Sequence, residues 1–405
     1  MEPRIKVLIL IAGNLSRSPR PEKEATTLAR AGYGVTVLHL SEGSVYDRLD
    51  ADLAKAGGYE TISLVLDSTP LMRHMRRLRR WLAVRAIAIG LEDVMALGPG
   101  RALLARARTH PADLIIVHNE IGLWAGRQLL RDGRRVAADI EDWHSEDLLE
   151  HDRHHRPLRL LRRVEGEILR EAAYVSTTSQ ALRCALHQRY GGPMPEVITN
   201  SFPLQDRPRP QQPKREAPPA FFWFSQTIGP GRGLEGFFPV WARLSAPTRL
   251  VLLGEPQGGF ADHLRALLPA DLRQRLEFLG LVPPPQLPGV IAQHDIGLAL
   301  EESSIPSRDG TITNKILQYL NAGLAIVATS TAGQREVLRT APRAGLLLDN
   351  ANHGTAIAQL NSWLQNRDQL RLVQQAARTA AEETYCWERE APKFLHCVNQ
   401  ALAKA

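Results

Sequence analysis

Arg308-Asp-Gly-Thr-Ile-Thr-Asn-Lys-Ile-Leu-Gln-Tyr-Leu-Asn-Ala-Gly-Leu-Ala-Ile-Val-Ala-Thr329 is the stretch of this sequence that decides the fold. It predicts a polar loop broken at Gly310, then a helix, then a buried strand. Gly323 stands where a glycine in the left-handed conformation would end the helix. The apolar run 324–328 is typical of a parallel strand that is covered on both faces. The apolar helix positions repeat every three or four residues: Ile316, Leu317 and Leu320.

The start of this helix carries side chains suited to a ligand. Thr311 and Thr313 can accept hydrogen bonds from the unpaired N–H groups of a helix start. Asn314, Lys315 and Gln318 share one flank, because residues three and four apart are neighbours on a helix. A cation and two amides near a helix N-terminus favour an anionic, hydroxyl-rich ligand such as a nucleotide sugar. The alternative is a solvated polar face.

Length and composition limit the classes of protein to which this chain can belong. The chain has 405 residues, which predicts two domains. No apolar run approaches the ~18 residues that span a bilayer, and we interpret the N-terminal apolar run as a strand, not a signal peptide. A net charge of +7 permits an acidic ligand or a membrane surface without requiring nucleic acid. Cys184, Cys386 and Cys397 lack metal-ligand spacing and predict thiols in a reducing cytoplasm.

The N-terminal half begins with a strand–loop–helix–strand pattern. Residues 5–11 and 35–40 predict two strands, and Gly13 follows the first of them. The dinucleotide fingerprint needs three spaced glycines, and this loop has one, so no nicotinamide or flavin cofactor is expected. Gly13 is instead expected to keep the loop low, so that a substrate can approach the strand ends.

Polar side chains follow two further predicted strands. His118 comes after the run 113–117, and Asp139, Glu141 and Asp142 come after the run starting at Val136. Open α/β sheets bind ligands beyond the carboxyl ends of their strands. We therefore interpret His118 as a group for acid–base or hydroxyl-orienting chemistry, and the acids as partners of acceptor or sugar hydroxyls. The alternatives are a structural histidine and acids that favour a helix N-terminus; no metal site is predicted.

Six prolines between positions 203 and 219 predict an extended linker. The expected organisation is an N-terminal domain of residues 1–203, a linker of 204–219 and a C-terminal domain of 220–384. A last helix, 385–405, is expected to complete the first domain.

A glycine-rich loop opens the second domain. Small residues let the backbone approach a phosphate, and Arg232 within the loop can bind phosphate oxygens in a bidentate way. The spacing is not that of a P-loop, and a flexible turn is the alternative. Gly254 repeats the strand-to-glycine pattern after the run 248–253. The glycines of the loop are Gly229, Gly231 and Gly233.

The segment 71–89 is basic and amphipathic, with arginines on one helical face and apolar residues on another. It predicts contact with an anionic membrane surface, at roughly 1 kcal/mol per basic residue. The alternative is a helix with a solvated arginine face.

Together these motifs resemble GT-B glycosyltransferases, in particular glycosyltransferase family four and the glycosyl transferases group 1 set. The most specific match is Asn314 to Thr329, which resembles the family pattern Pro-x-Lys-x-x-Glu-Tyr-x-Ala-x-Gly-x-Pro-Val-Ile-Ala. Arg232-Gly233 resembles the Lys/Arg-Gly pair of the donor site, and Ser18-Pro-Arg20 with Glu24-Ala25 resembles the first βαβ unit. Asp139-Ile-Glu-Asp142 resembles the Tyr-Asp-Ala-His-Glu segment.

The resemblance implies two doubly wound α/β domains that face each other across a cleft. It implies a nucleotide-sugar donor on the C-terminal domain and a glycan, lipid-linked or small-molecule acceptor on the N-terminal domain. Transfer would retain anomeric configuration, without a metal or bound cofactor. Arg232 and Lys315 would neutralise the leaving pyrophosphate, and His118 would contact the donor sugar. Gly254, Asp309, Thr311, Thr313 and Asn314 would complete the donor site.

Three positions depart from the family pattern. Gly310, with Asp309 beside it, stands where the first glutamate of the paired-glutamate motif is expected. Gln318 stands where the ribose-binding glutamate is expected, and Glu141 stands where the pattern has histidine. A glutamine accepts hydrogen bonds more weakly than a carboxylate. The sequence therefore leaves two alternatives to a transferase: a nucleotide-sugar 2-epimerase of the same fold, and a binding module without turnover.

Overall fold

The computed structural model describes residues 4–41, 46–66, 69–208, 217–349 and 353–403, without the side chain of residue 151. These residues form two compact units, the first Met1–Ile198 with Glu390–Ala405 and the second Thr199–Arg389. Residues 199–203 are thus grouped with the second unit. Most of the predicted linker, residues 209–216, lies outside the described residues.

The first unit is built on a seven-stranded sheet, parallel throughout, with the strand order β3-β2-β1-β4-β5-β6-β7. This order is doubly wound, as predicted. β1 and β4 are apolar runs buried on both faces, which is why they occupy the centre. The strands are β1 Lys6–Ile11, β2 Gly34–Ser41, β3 Glu60–Val65, β4 Leu114–His118, β5 Val136–Ile140, β6 Val175–Thr177 and β7 Glu196–Val197.

Helices cover this sheet, and their apolar faces form a core with its strands. The first α-helix begins at Pro19, because a proline at the first helical position costs no hydrogen bond. The helices are α1 Pro19–Arg30, α2 Tyr46–Gly57, α3 Pro70–Ile87, α4 Gly100–Arg108, α5 Asn119–Arg131, α6 Leu158–Glu171 and α7 Gln180–Tyr190.

The second unit contains a six-stranded parallel sheet with the order β10-β9-β8-β11-β12-β13. β8 runs on to Ile228, so residues 225–228, which the sequence assigned to the glycine-rich loop, are strand. The strands are β8 Ala220–Ile228, β9 Arg249–Pro256, β10 Leu276–Leu279, β11 Ile296–Ala299, β12 Ala325–Thr329 and β13 Gly345–Leu348.

The helices of the second unit divide its apolar residues into two clusters. They are α8 Leu234–Trp241, α9 Phe260–Ala266, α10 Ala270–Arg273, α11 Leu287–Ile291, α12 Pro306–Gly310, α13 Asn314–Ala322, α14 Ala332–Thr340, α15 His353–Gln365 and α16 Arg367–Glu383. The last helix of the chain, α17 Trp387–Ala403, belongs to the first unit from Glu390 onward.

The stretch 308–329 folds largely as its sequence predicts. Thr313 caps α13 by accepting from the N–H of Ile316, and Gly323 ends the helix with φ 75°. Two details were wrong. The predicted polar loop begins inside the short helix α12. Thr311 lies at the end of α12 and not at a helix start, and its hydroxyl donates to the Ser307 carbonyl.

Among the described residues, no helix combines the length and the apolar content that crossing a membrane requires.

Candidate functional sites

Each sheet has one point where the strand order reverses, and loops leave in opposite directions there. The point lies between β1 and β4 in the first unit and between β8 and β11 in the second. Ligands of doubly wound sheets bind at these switch points, beyond the carboxyl ends of the strands. The predicted site residues fall at both points, so each unit has a candidate site.

In the first unit, His118 is the last residue of β4, and the turn that follows it is strained. Asn119 has φ 51°, and the N–H of Gly122 donates to its side-chain oxygen at 3.3 Å. Asparagine tolerates this left-handed conformation better than most residues. A strained residue at a strand end is a feature of functional sites, and here it turns the chain directly from β4 into α5.

The His118 imidazole lies buried among three carboxyl groups. Its Nε2 is 3.0 Å from Glu24 Oε2, so α1 supplies its closest partner. Its Nδ1 lies 3.7 Å from Asp139 Oδ2 and 3.8 Å from Glu141 Oε1. Only Glu141 of these three acids has substantial solvent access. A ligand in solution therefore reaches Glu141 first and His118 only through it.

Arg20 donates hydrogen bonds to two of these acids, Glu24 and Asp139. Its Nε donates to Glu24 at 2.5 Å and its Nη2 to Asp139 at 3.2 Å. Its Nη1 donates to the Ile198 carbonyl at 2.7 Å, and Ser176 donates to Asp139 at 2.5 Å. Arg20 is fully buried. Each buried charge thus has a bonded partner, as an ion network in a protein interior requires.

The network shifts the pKa values of its members. Burial alone would lower the pKa of His118, but the Glu24 carboxylate and the nearby carboxyl groups of Glu141 and Asp139 raise it to about 10. Burial raises the pKa of Asp139 to about 6, against the effect of Arg20. Burial, with Arg20 nearby, lowers the pKa of Lys23 to about 7. His118 is therefore held as a cation at neutral pH.

The charge balance of this cluster bears on metal binding. His118, Asp139 and Glu141 each offer a ligand atom, and these atoms lie within 4.8 Å of one another. The Arg20 guanidinium already bonds Asp139, and the imidazolium faces the same acids. One of the three candidate ligands, Asp139, therefore already has a cationic partner within the protein.

A buried carboxylate shapes the loop after β1. Asp50, from α2, accepts from the backbone N–H groups of Leu15 and Ser16 at 3.1 and 2.7 Å and from the Asn14 amide at 2.9 Å. Gly13 has φ 140°, and a Cβ there would have open space around it. Its conformation, and not crowding, therefore favours glycine.

In the second unit, the glycine-rich loop joins β8 to α8. Gly231 and Gly233 have φ 70° and 73°, a region that favours glycine. A Cβ on Gly233 would also lie 3.0 Å from Leu300 Cβ. Arg308 donates to the Gly231 carbonyl at 2.7 Å, so α12 holds the loop in place. Arg232, between the two glycines, is thereby carried on a fixed loop at the switch point.

Lys315 lies in the first turn of α13, beside the carboxyl end of β11. Its Nζ is 2.6 Å from Glu301 Oε1 and 5.8 Å from the centroid of the Trp223 ring. Glu301 lies two residues after the end of β11 and is buried. Sequence reasoning did not select Glu301 as a site residue, although a carboxylate just after the short apolar run 296–300 was the available signal.

Three other predicted donor-site residues have contacts within the protein. Asp309 accepts from the N–H of Ala332 at 3.0 Å, at the start of α14. Asn314 accepts from the Asn200 amide at 2.9 Å. A Cβ on Gly254 would lie 2.4 Å from the Ser225 carbonyl, so close backbone packing requires glycine there. These contacts give the three residues structural roles, whether or not they also bind a ligand.

Two further predicted donor-site residues differ from these. A Cβ on Gly229, which is buried, would lie 2.6 Å from Gln257 Oε1, so close packing favours glycine there. Gln318 has a buried side-chain oxygen with no hydrogen-bond partner in the part of the chain that the structure describes. A buried acceptor without a partner is costly, and a hydroxyl donor would satisfy it.

The surface of the second unit carries a polar depression of about 220 Å³ at the carboxyl ends of β11, β12 and β13. Its lining includes Glu301, Thr329, Arg335 and Asp349. A larger depression of about 530 Å³ lies in the first unit near Lys6 and Asp113, at the amino ends of β1 and β4. Doubly wound sheets bind ligands at the opposite edge, so the smaller depression is the better candidate.

Comparisons with known proteins show which family model and which solved structures this chain resembles. Residues 219–366 match the family model described as glycosyl transferases group 1, which covers less than half of the chain. No curated protein sequence matches significantly. The chain shares its fold with HepE of Anabaena, solved with UDP and glucose, at 16% identity and a TM-score of 0.70 over 98% of this chain and 100% of that one.

Two more solved structures share the fold. Sucrose-phosphate synthase of Thermosynechococcus elongatus has 15% identity and a TM-score of 0.69, over 99% of this chain and 100% of that one. A protein of Listeria monocytogenes with the provisional name UDP-N-acetylglucosamine 2-epimerase has 11% identity and a TM-score of 0.60, over 99% and 97%. The fold is thus of GT-B type, and residues 219–366 are similar to the glycosyl transferases group 1 model.

Proposed function

We propose that this protein transfers a sugar from a nucleotide-diphosphate donor to an acceptor hydroxyl, with retained anomeric configuration and without a metal ion. One observation carries the proposal. Lys315, held by Glu301, stands beside the carboxyl end of β11, and the fixed loop with Arg232 follows β8, the neighbouring strand. Two cations at one switch point fit a diphosphate.

The chemistry assigned to these cations follows from where charge develops. When the bond between the anomeric carbon and the phosphate oxygen breaks, negative charge grows on the departing diphosphate. Lys315 and Arg232 would stabilise that charge, which is the role that metal ions fill in other transferases. Glu301 would keep the Lys315 ammonium in position before the donor arrives, so that little reorganisation is needed during the reaction.

The first unit would supply the acceptor side. Glu141 is the solvent-accessible acid of the His118 cluster, and Asp142 beside it is exposed. Carboxylates accept hydrogen bonds from hydroxyl groups, which fits a glycan, a lipid-linked sugar or a small hydroxylated acceptor. The buried part of the cluster would fix the orientation of Glu141. Synthesis of a surface glycan or glycoconjugate is the setting that we propose.

The free thiols fit a cytoplasmic location for this reaction. Cys386 and Cys397 are buried and free, and Cys184 is exposed and free. Thiols without disulfide partners are typical of reducing compartments. We propose that the protein works in the cytoplasm, where activated sugar nucleotides would serve as donors.

The second candidate is a nucleotide-sugar 2-epimerase. The Listeria protein shows that one fold carries both names, and His118 with Asp139 offers groups for proton transfer. The burial of His118 and Asp139 weakens this candidate, because proton transfer requires contact with the sugar. The partnerless oxygen of Gln318 also keeps a binding module without turnover as a candidate.

A donor-only experiment separates these functions. The protein is screened by thermal shift against UDP, GDP, ADP and TDP sugars, because a ligand of the folded state raises the melting temperature. The best donor is then incubated alone. Slow hydrolysis supports a transferase, an epimerised donor supports the epimerase, and binding without product supports the module. Turnover that is unchanged in both Lys315→Ala and Arg232→Ala would overturn the site assignment.

A further inference from the structure

The helix α3 exposes an apolar stripe that its own unit leaves uncovered. Every side chain from Leu71 to Leu82 is exposed, and Ala83 is the only buried residue of the helix. Four large apolar residues recur there at steps of four, three and four, which places them on one face. This α3 stripe consists of Leu71, Met75, Leu78 and Leu82, with exposed fractions of 68%, 43%, 47% and 53%.

The charges around the α3 stripe have one sign. Between Thr69 and Leu91 the chain has no Asp or Glu. It has six arginines, which are Arg73, Arg76, Arg77, Arg79, Arg80 and Arg85. On a helical projection, Arg79 and Arg85 lie on either side of the stripe. Arg80 is turned inward and donates to the Ala96 carbonyl at 3.3 Å.

An aromatic side chain completes the margin of the stripe. Trp81 is 52% exposed, and the Arg85 guanidinium lies 4.8 Å from the centroid of its ring. Tryptophan and arginine favour the boundary between lipid headgroups and acyl chains, because each combines an apolar body with a polar end. Ile89 and Leu91, 76% and 64% exposed, extend the apolar surface beyond the helix.

We propose that α3 lies in the interface of an anionic lipid bilayer, with the α3 stripe inserted among the acyl chains and the arginines at the headgroups. An apolar face with a cationic border is the pattern of helices that lie on membranes. A neutral or acidic protein surface would pair with either the stripe or the arginines, whereas an anionic bilayer pairs with both. This inference goes beyond sugar transfer and is independent of it.

The test is co-sedimentation of the full chain with vesicles of phosphatidylcholine alone and of phosphatidylcholine mixed with phosphatidylglycerol. We expect binding to the mixed vesicles, weakened by salt, and little binding to the neutral ones. The triple variant Leu71→Gln, Leu78→Gln, Leu82→Gln should lose most of that binding, at least tenfold. Its substitutions are at exposed helix positions, so circular dichroism and melting temperature should stay unchanged.

Two controls match these substitutions. Leu372→Gln removes an equally exposed leucine from α16 and should bind like the unchanged protein. Arg76→Gln with Arg79→Gln should weaken binding, whereas the exposed pair Arg243→Gln with Arg339→Gln should not. Vesicles should also shift the tryptophan emission to the blue, and Trp81→Phe should remove that shift while binding persists.

Binding of the triple variant at the unchanged level would overturn the proposal. Failure of the unchanged protein to bind anionic vesicles would overturn it as well. A third result against it would be a chain that forms dimers which the triple variant dissociates, without any vesicle binding, because the stripe would then be a contact between copies. None of these outcomes depends on a sugar donor, so each leaves the proposed function standing.

Discussion

The two switch points of this protein are built in opposite ways. In the first unit, Arg20, Glu24, His118 and Asp139 form a buried network of three ion pairs, in which His118 Nδ1 and Asp139 Oδ2 have no hydrogen-bond partner among the described residues. In the second unit, Arg232 stands half-buried on a glycine-rich loop, and Lys315 is held by Glu301 alone among the described ion pairs. We call the first site the closed network, because removing one of its groups deprives several buried charges of a partner. We call the second the open site, because Arg232 has no ion pair among the described residues and Lys315 has only one that a ligand could replace.

The largest expected effect comes from breaking the closed network. Glu24→Gln removes the carboxylate that joins Arg20 to His118 and leaves two buried cations with one partner fewer. We expect the free energy of unfolding to fall by about 3–5 kcal/mol, measured by urea denaturation. The matched control is Glu22→Gln on the same helix, a half-buried residue whose carboxylate accepts from the Thr26 hydroxyl. Equal losses in the two variants would contradict the contrast between the sites.

Breaking the open site should affect activity first. Lys315→Met keeps the length and packing of the side chain but removes the ammonium. We expect turnover to fall about 10²–10³-fold, as for the loss of one group that stabilises developing charge. The melting temperature should fall as well, because the buried carboxylate of Glu301 loses its partner. Lys393→Met, at an exposed lysine of α17, is the control for a lost charge. A large loss of stability with unchanged turnover would assign Lys315 a structural role.

The pH dependence of stability tests the charges of the closed network. His118 has its pKa raised from 6.5 to about 10, so its contribution is complete below pH 6.5 and is lost as the pH rises to about 10. Lys23 has its pKa lowered from 10.5 to about 7, so the cost of burying it is present below pH 7 and disappears as the pH rises to 10.5. Between about pH 7 and 10 the two effects oppose each other.

The free energy of unfolding therefore has two opposite dependences on pH that cancel in the unchanged protein. Each single variant should leave only one of them. In Lys23→Met, the free energy of unfolding should fall as the pH rises from 7 to 10, by up to about 1.4 kcal/mol per pH unit. In His118→Gln it should rise over the same interval. Urea denaturation at a series of pH values measures both slopes. The same slope in both variants would show that the buried charges are not those assigned here.

The smallest expected effect concerns the hydrogen bond that Gln318 would make to a ligand in the open site. Gln318 has a side-chain oxygen without a partner among the described residues, at the position where the resembling family has glutamate. Gln318→Glu should strengthen a hydrogen bond to a ribose hydroxyl by about 1 kcal/mol, roughly fivefold in the dissociation constant of the nucleoside diphosphate. Calorimetric titration measures it. A weaker affinity in the variant would mean that the ribose does not bind there.

Much of the fold follows from local pattern. Apolar runs predict β1, β4 and β12, because parallel central strands are buried on both faces. Helical spacing, Thr313 and Gly323 predict α13 and its end. The edge of the first sheet was harder. No prediction covers α2 or β3, and β3 has little buried surface, so its sequence has no strong apolar run.

The residues of the candidate sites were also predictable only in part. Strand-end position was enough to select His118 and Asp139, because the period of a sequence shows where a strand stops. A glycine-rich loop selected Arg232, and a helix start selected Lys315. It was not enough to identify their partners. Glu24 reaches His118 from α1, 94 positions earlier, and Arg20 reaches Asp139 across 119 positions. No local pattern encodes such distances.

The sequence by itself determined two doubly wound units, a helix start with Lys315, and a cationic, amphipathic α3. These features depend on residues within a few positions of one another, and hydrophobic periodicity reports them directly. Only the tertiary structure decided that His118 is a buried cation within a network, that Glu301 holds Lys315, and that the α3 stripe is uncovered. Burial and ion pairing depend on which distant segments the fold brings together, and they set the pKa values and exposed surfaces on which function rests.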